Sequence, residues 1–160
     1  MKTIDELLSE VAKKLDVTQE SLKKPVDTLT LSVAKEMAYA VEAAAEGMGI
    51  NVVVSVYNDG ANPILLHAMD NSYIASVKIA EDKAYTAVAL KMPTHIALRE
   101  SRGKSLDGLT NGNGIMLLGG GYPLEAGGRV FGGIGVSGGT KEEDIALSKL
   151  GAEYFKARMK

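Results

Sequence analysis

The sequence predicts an α+β protein, an antiparallel sheet with helices packed on it. Three observations carry that expectation. Apolar residues recur at helical spacing in three long stretches. β-Branched runs arrive in pairs joined by turn residues, rather than singly between helices. The stretch Gly119–Gly139, GGGYPLEAGGRVFGGIGVSGG, sets glycines among the strand formers Val130, Phe131, Ile134 and Val136, and holds more than half of the chain's 18 glycines. Glycine inside a strand marks a bulge, a bend or a close approach of something else. That something is a small molecule, a neighbouring helix or a second subunit.

The elements follow in order. Thr3-Ile4-Asp5-Glu6 reads as a capping box, and Leu7, Leu8, Val11, Ala12 and Leu15 make one apolar stripe behind it. Thr18 caps a second short helix that Pro25 stops. Residues 1–26 are thus an N-terminal helical arm, packed on the domain or serving as a docking helix, and residues 27–160 form the main domain. Its first long helix is Asp27–Met48, closed by Gly49 in the left-handed cap position. Val52–Tyr57 and Ile64–Met69 are two strands of a hairpin around the turn Asn58–Pro63. Asp70-Asn71-Ser72 offers caps for a helix from Tyr73 to Met92, with Tyr73, Val77, Ala80, Ala84, Ala87 and Val88 on its buried side. Thr94 caps a short continuation after Pro93. Ser101–Gly114 is a loop, Ile115–Leu118 a short strand, and Arg129–Ser137 the last strand. Thr140-Lys141-Glu142-Glu143 is a second capping box, opening a final helix to about Met159.

Composition excludes several function classes. The net charge of −2 leaves no basic footprint for nucleic acid. The absence of cysteine removes disulfides, thiolate metal sites and thiol nucleophiles. No apolar run is long enough for a membrane helix, and Asp5, Glu6 and Glu10 interrupt anything resembling a signal peptide. A cytoplasmic protein is expected, or one inside a bacterial microcompartment. Gly133-x-Gly135-x-x-Gly138 matches the dinucleotide fingerprint only literally. No second strand follows it, and Glu142, Glu143 and Asp144 already fill the positive end of the next helix. No G-x-S-x-G elbow supports a serine hydrolase.

Four ordered segments carry a resemblance: Met69-Asp70-Asn71, Ile79–Thr94, Gly119–Leu124 and Gly132–Gly139. Over roughly residues 30–157 the chain resembles the GlcG-like, "haem-degrading" family, nearest to the C-terminal domain of PduO-type corrinoid adenosyltransferases and its free-standing relatives. The resemblance implies a profilin-like fold, homo-oligomers from dimers to octamers, and haem or a corrinoid as ligand in some members. It also implies a setting in small-diol, glycolate or cobalamin-linked metabolism. The adenosyltransferase domain of those enzymes is a separate one. The chain departs from the family at Asn58 and Ala61, where many relatives have Asp and Gly, and at Ala68, where many have Arg. It also lacks the N-terminal histidine that ligates haem in some relatives.

On this resemblance Lys83 is an anchor for a propionate, carboxylate or phosphate, with Arg99, Arg102 and Arg129 as alternatives. On local pattern alone Lys83 is a solvated helix residue beside Glu81 and Asp82. The expected pocket is lined by Gly119, Gly120 and Gly121, by the strand end with Gly138 and Gly139, and by the start of the Tyr73–Met92 helix. Asp70 is an N-cap or a polar group of that pocket. His67 and His95 are the only histidines and hence the candidate metal ligands, His67 first. Strand alternation puts His67 and Met69 on one face, too close in the chain to supply both axial positions of one haem. The leading expectation is a small-molecule binding protein that takes haem or a corrinoid. The alternatives are a small enzyme acting on a carboxylate or aldehyde and a scaffold component of a metabolic compartment.

Overall fold

The computed structural model describes residues 2–159. Its elements are α1 (Ile4–Leu15), α2 (Gln19–Leu22), α3 (Leu31–Met48), β1 (Val53–Asn58), β2 (Pro63–Ala68), α4 (Ile74–Leu90), α5 (Thr94–Glu100), β3 (Gly121–Ala126), β4 (Arg129–Ser137) and α6 (Lys141–Arg158). The strands form one antiparallel sheet in the order β2-β1-β4-β3, so β2 and β3 are its edges. The class is α+β, as the paired strands imply.

Helix α4 covers one face of the sheet, and α3 with α6 covers the other. The glycine strand explains the first packing. A Cβ on Gly135 would stand 2.0 Å from the Ala80 carbonyl oxygen, and one on Gly133 would stand 2.6 Å from that of Ala84. The object that approaches this stretch is therefore the α4 backbone. On the opposite face Val54, Val56, Leu124, Ile134 and Val136 join Val33, Met37, Val41, Leu147 and Phe155 in the apolar core.

Both capping boxes form, at Thr3 and at Thr140. The stripe Leu7, Leu8, Val11 and Ala12 is buried where α1 packs on α3, so the arm's apolar side faces its own domain. The chain end ties the arm down. Val26 N–H donates to the Arg158 carbonyl at 2.8 Å, and the Arg158 guanidinium donates to the Lys24 carbonyl. That pairing fixes Val26 as an isolated bridge, followed by a bend at residues 27–28, so α3 starts at Leu31 under a Thr30 cap and not at Asp27.

Four further expectations are corrected. The residues Asp70-Asn71-Ser72 form a turn, with Asn71 at φ +64°, and α4 starts after Tyr73 without a side-chain cap. Tyr73 is exposed and not on the buried side. Thr94 does not cap α5. Its hydroxyl donates to the Leu118 carbonyl at 2.6 Å and accepts from Gly121 N–H at 2.9 Å. Ile115–Leu118 is not a strand; the strand next to β4 is instead Gly121–Ala126, beyond the glycine cluster.

Candidate functional site

Lys83 lies on the sheet-facing side of α4 and is fully buried. Its Nζ donates to the Val136 carbonyl and to Asp144 Oδ2, both at 2.8 Å. Asp144 Oδ1 accepts from Gly139 N–H at 2.9 Å. Gly120 makes room for this pair. A Cβ there would stand 2.8 Å from Lys83 Nζ and 2.6 Å from the Val136 oxygen, and its φ of +119° already excludes most side chains. A Cβ on Gly121 would meet the Lys83 carbonyl, and Gly138 lies against Asn51. The fold thus brings together Lys83, Gly119–Gly121 and Gly138–Gly139. Asp70 is left in its exposed turn.

The cluster is closed around an internal partner. Neither a solvated Lys83 nor one reaching out to a ligand matches its placement. Burial pushes the Lys83 ammonium below the usual lysine range and the Asp144 carboxyl above the usual aspartate range, each shift opposed by the other's charge. Chemically the pair positions α4 against the first turn of α6. Asp144 escaped the sequence reading because its partner is 61 residues away and no periodicity links them.

His67 is placed differently. It sits on the edge strand β2, and its Nδ1 lies 2.7 Å from Glu42 Oε1 of α3. Tyr39 packs against it with ring centroids 5.4 Å apart, and Lys14 of α1 lies 3.8 Å from Glu42 Oε2. An ionised carboxylate only accepts, so Nδ1 carries the hydrogen, and the tautomer this selects has its lone pair on Nε2. Nε2 has no hydrogen-bond partner among the described residues, and the side chain is 27% exposed. A carboxylate orienting a histidine from behind is the usual support for a metal-ligating imidazole. Glu42 had a sequence signal. It is a carboxylate between Val41 and Ala43 on the buried side of a helix. Met69 does not join His67, because its sulfur accepts from Val52 N–H at 3.4 Å.

His95 follows Pro93 in α5. Its Nδ1 is buried without a partner among the described residues, and its ring centroid is 5.8 Å from that of Tyr122. Burial, then the charges of Arg99 and Lys141, hold its pKa below the usual histidine value. Arg99 lies beside Glu100, and Arg129 beside Asp59 and over the Phe131 ring, so neither joins the Lys83 cluster. Among the described residues no group of three His, Cys, Asp or Glu could hold a metal ion. Among the described residues no helix is long and apolar enough to cross a membrane.

The fold and this geometry define an α+β protein with a single carboxylate-supported histidine on an edge strand. The chain belongs to the haem degrading protein HbpS-like family, whose model matches residues 29–153. It is 43% identical over 133 residues to the uncharacterized 15.0 kDa protein of the dhaT-dhaS intergenic region of Citrobacter freundii, covering 81% of this chain and 94% of that one. It is 27% identical over 145 residues to the corrinoid adenosyltransferase PduO of Citrobacter freundii, covering 89% of this chain but only 43% of that enzyme. Among solved structures it resembles the PduOC:heme complex, with a TM-score of 0.74 and 28% identity over 79% of this chain and 94% of that one.

Proposed function

We propose that this protein binds haem through the His67 imidazole, as an accessory to a cobalamin-linked pathway of small-molecule metabolism. The observation that carries the reading is the Glu42–His67 pair. It is an imidazole held through Nδ1 by a buried carboxylate, with Nε2 left open. The likeness to a solved haem complex and to corrinoid adenosyltransferases supports the ligand class and the metabolic setting.

The residues present would hold one imidazole ligand to a haem iron. Glu42 fixes the tautomer and the ring plane, Tyr39 packs on the ring, and Lys14 holds the second Glu42 oxygen in place. Bound haem supplies an iron centre for redox or ligand chemistry. The chain's part is to donate the imidazole and keep its other nitrogen protonated. Because β2 is an edge strand, a second copy of the chain is the natural cover for the exposed side of a bound ring.

Absorption titration with haemin tests this. A saturable Soret shift at one haemin per chain is expected, lost in His67→Ala and kept in His95→Ala. Glu42→Gln should weaken binding by about 10–100-fold through the misoriented ring. Hydroxocobalamin should leave the spectrum unchanged. A Soret shift that survives His67→Ala would overturn the reading.

A further inference from the structure

At the opposite edge of the sheet from His67, a cleft of about 450 Å³ runs along β3, bracketed by the end of α4 and by α6. Its floor and walls include Met92, Pro93, Tyr122, Pro123 and Ala152, and its rim carries Lys91, Lys149 and Lys156 against Glu125 and Glu153. We infer that this cleft is a second ligand site, taking a planar aromatic anion of small-molecule size.

Four features carry the inference. The volume lies in the range of small-molecule pockets, and the lining is mainly apolar with a few charged groups, the usual composition of such sites. Three lysines stand against two glutamates, and Lys149 and Glu153 already pair at 3.8 Å. Among the described residues Lys91, Lys156 and Glu125 have no ion-pair partner, so the rim keeps an excess of one positive charge, supplied from the end of α4 and from α6. Lys91 holds the left-handed conformation at the end of α4, with φ +53°, where glycine is the usual occupant. A strained residue that also supplies a charge to a cleft is what a functional position looks like.

The fourth feature selects the kind of occupant. An open strand edge invites an added strand, but Pro123 has no N–H to offer one. Recognition here falls to side chains. The Tyr122 ring is the flat apolar surface, and the lysines are the anion partners. The cleft is independent of His67. The two lie on edge strands three strand spacings apart, roughly 14 Å, so no single ring plane is held by both.

The test uses 8-anilinonaphthalene-1-sulfonate, an aromatic anion with a planar naphthalene ring and no metal affinity, read by its fluorescence on the protein. Saturable binding at one probe per chain is expected. Lys91→Glu combined with Lys156→Glu should weaken it by at least about tenfold, equivalent to about 1.4 kcal/mol. Ala152→Trp should abolish it by filling the cleft, and His67→Ala should leave it unchanged. All of these residues are at least partly exposed, and circular dichroism checks that each variant is folded. Binding that ignores both cleft variants, is lost in His67→Ala, or does not saturate overturns the proposal. The haemin titration reads iron coordination at His67, so either result can fail without the other.

Discussion

Strand β4 makes two opposite kinds of interface with its two faces. Towards α4 it presents Gly133 and Gly135, and the helix answers with Ala80, Ala84 and Ala87, all fully buried. Towards α6 it presents Ile134 and Val136, and there the helix supplies the glycine. A Cβ on Gly151 would stand 2.5 Å from Ile134 Cδ1. Close packing is reached from either side by removing a side chain where the partner needs the room. The difference is in what limits the contact. On the α4 face it is backbone against backbone, which cannot move aside. On the α6 face it is side chain against glycine, which can adjust.

Each face also carries a buried charge network. The Lys83–Asp144 pair joins α4 to the start of α6. On the other face Glu36 accepts from Arg158 through both carboxylate oxygens, at 2.7 and 3.2 Å, and from the Tyr154 hydroxyl at 3.1 Å, joining α3 to the end of α6. Arg158 matches its carboxylate with a planar fork, whereas Lys83 offers a point charge. The second network is therefore the geometrically stricter of the two, and the first depends more on exclusion of water.

The sharpest way to break the comparison is Gly135→Val. Its branched Cβ would meet the Ala80 carbonyl and the Ala84 N–H, neither able to give, so destabilisation above about 4 kcal/mol is expected. Thermal unfolding followed by circular dichroism should show no cooperative transition; a normal transition would mean that α4 can lift off the sheet. Lys83→Met comes next. It strands the Asp144 carboxylate in the interior and should cost about 3–5 kcal/mol in urea denaturation, with part recovered when Asp144→Asn is added. Equal losses in the single and double variants would show that packing, and not the charge, matters there.

The smallest expected effect concerns the other face and alkaline pH. Burial, reinforced by Glu36, raises the Tyr154 phenol above its ordinary pKa of 10.0. Above that value the unfolded chain loses a proton that the folded chain keeps. Stability therefore falls as pH rises, by up to about 1.4 kcal/mol per pH unit from this group. In Tyr154→Phe that component disappears. Urea midpoints at about pH 9 and about pH 11 should differ less in the variant than in the wild type. An identical difference would detach Tyr154 from the network.

Much of the fold was legible in the chain. Both capping boxes, the Gly49 cap, the hairpin around Asn58–Pro63, β4 and the final helix follow from local chemistry and periodicity. The misses have separate causes. Thr94 looks like a cap, but capping residues are also good hydrogen-bond partners elsewhere, and the Leu118–Gly121 backbone claimed it, whereas Asp70 lies in the turn before α4, which starts only after Tyr73. Strand β3 was hidden because Gly121 and Pro123 are poor strand formers, tolerated on an edge. Of the candidate site, the glycines and Lys83 were found together, but their partner Asp144 was not. His67 was found without Glu42.

The sequence by itself determined the class, the family and the order of elements, because caps, turns and hydrophobic periods act over a few residues. It also restricted imidazole ligation to two positions, by containing only two histidines. Only the tertiary structure decided what approaches the glycine strand, that Lys83 turns inward to Asp144, and that Glu42 stands behind His67. Those are contacts between residues 25 to 61 positions apart. Their partners are chosen by which surfaces close packing brings together, and no local pattern in the chain records that choice.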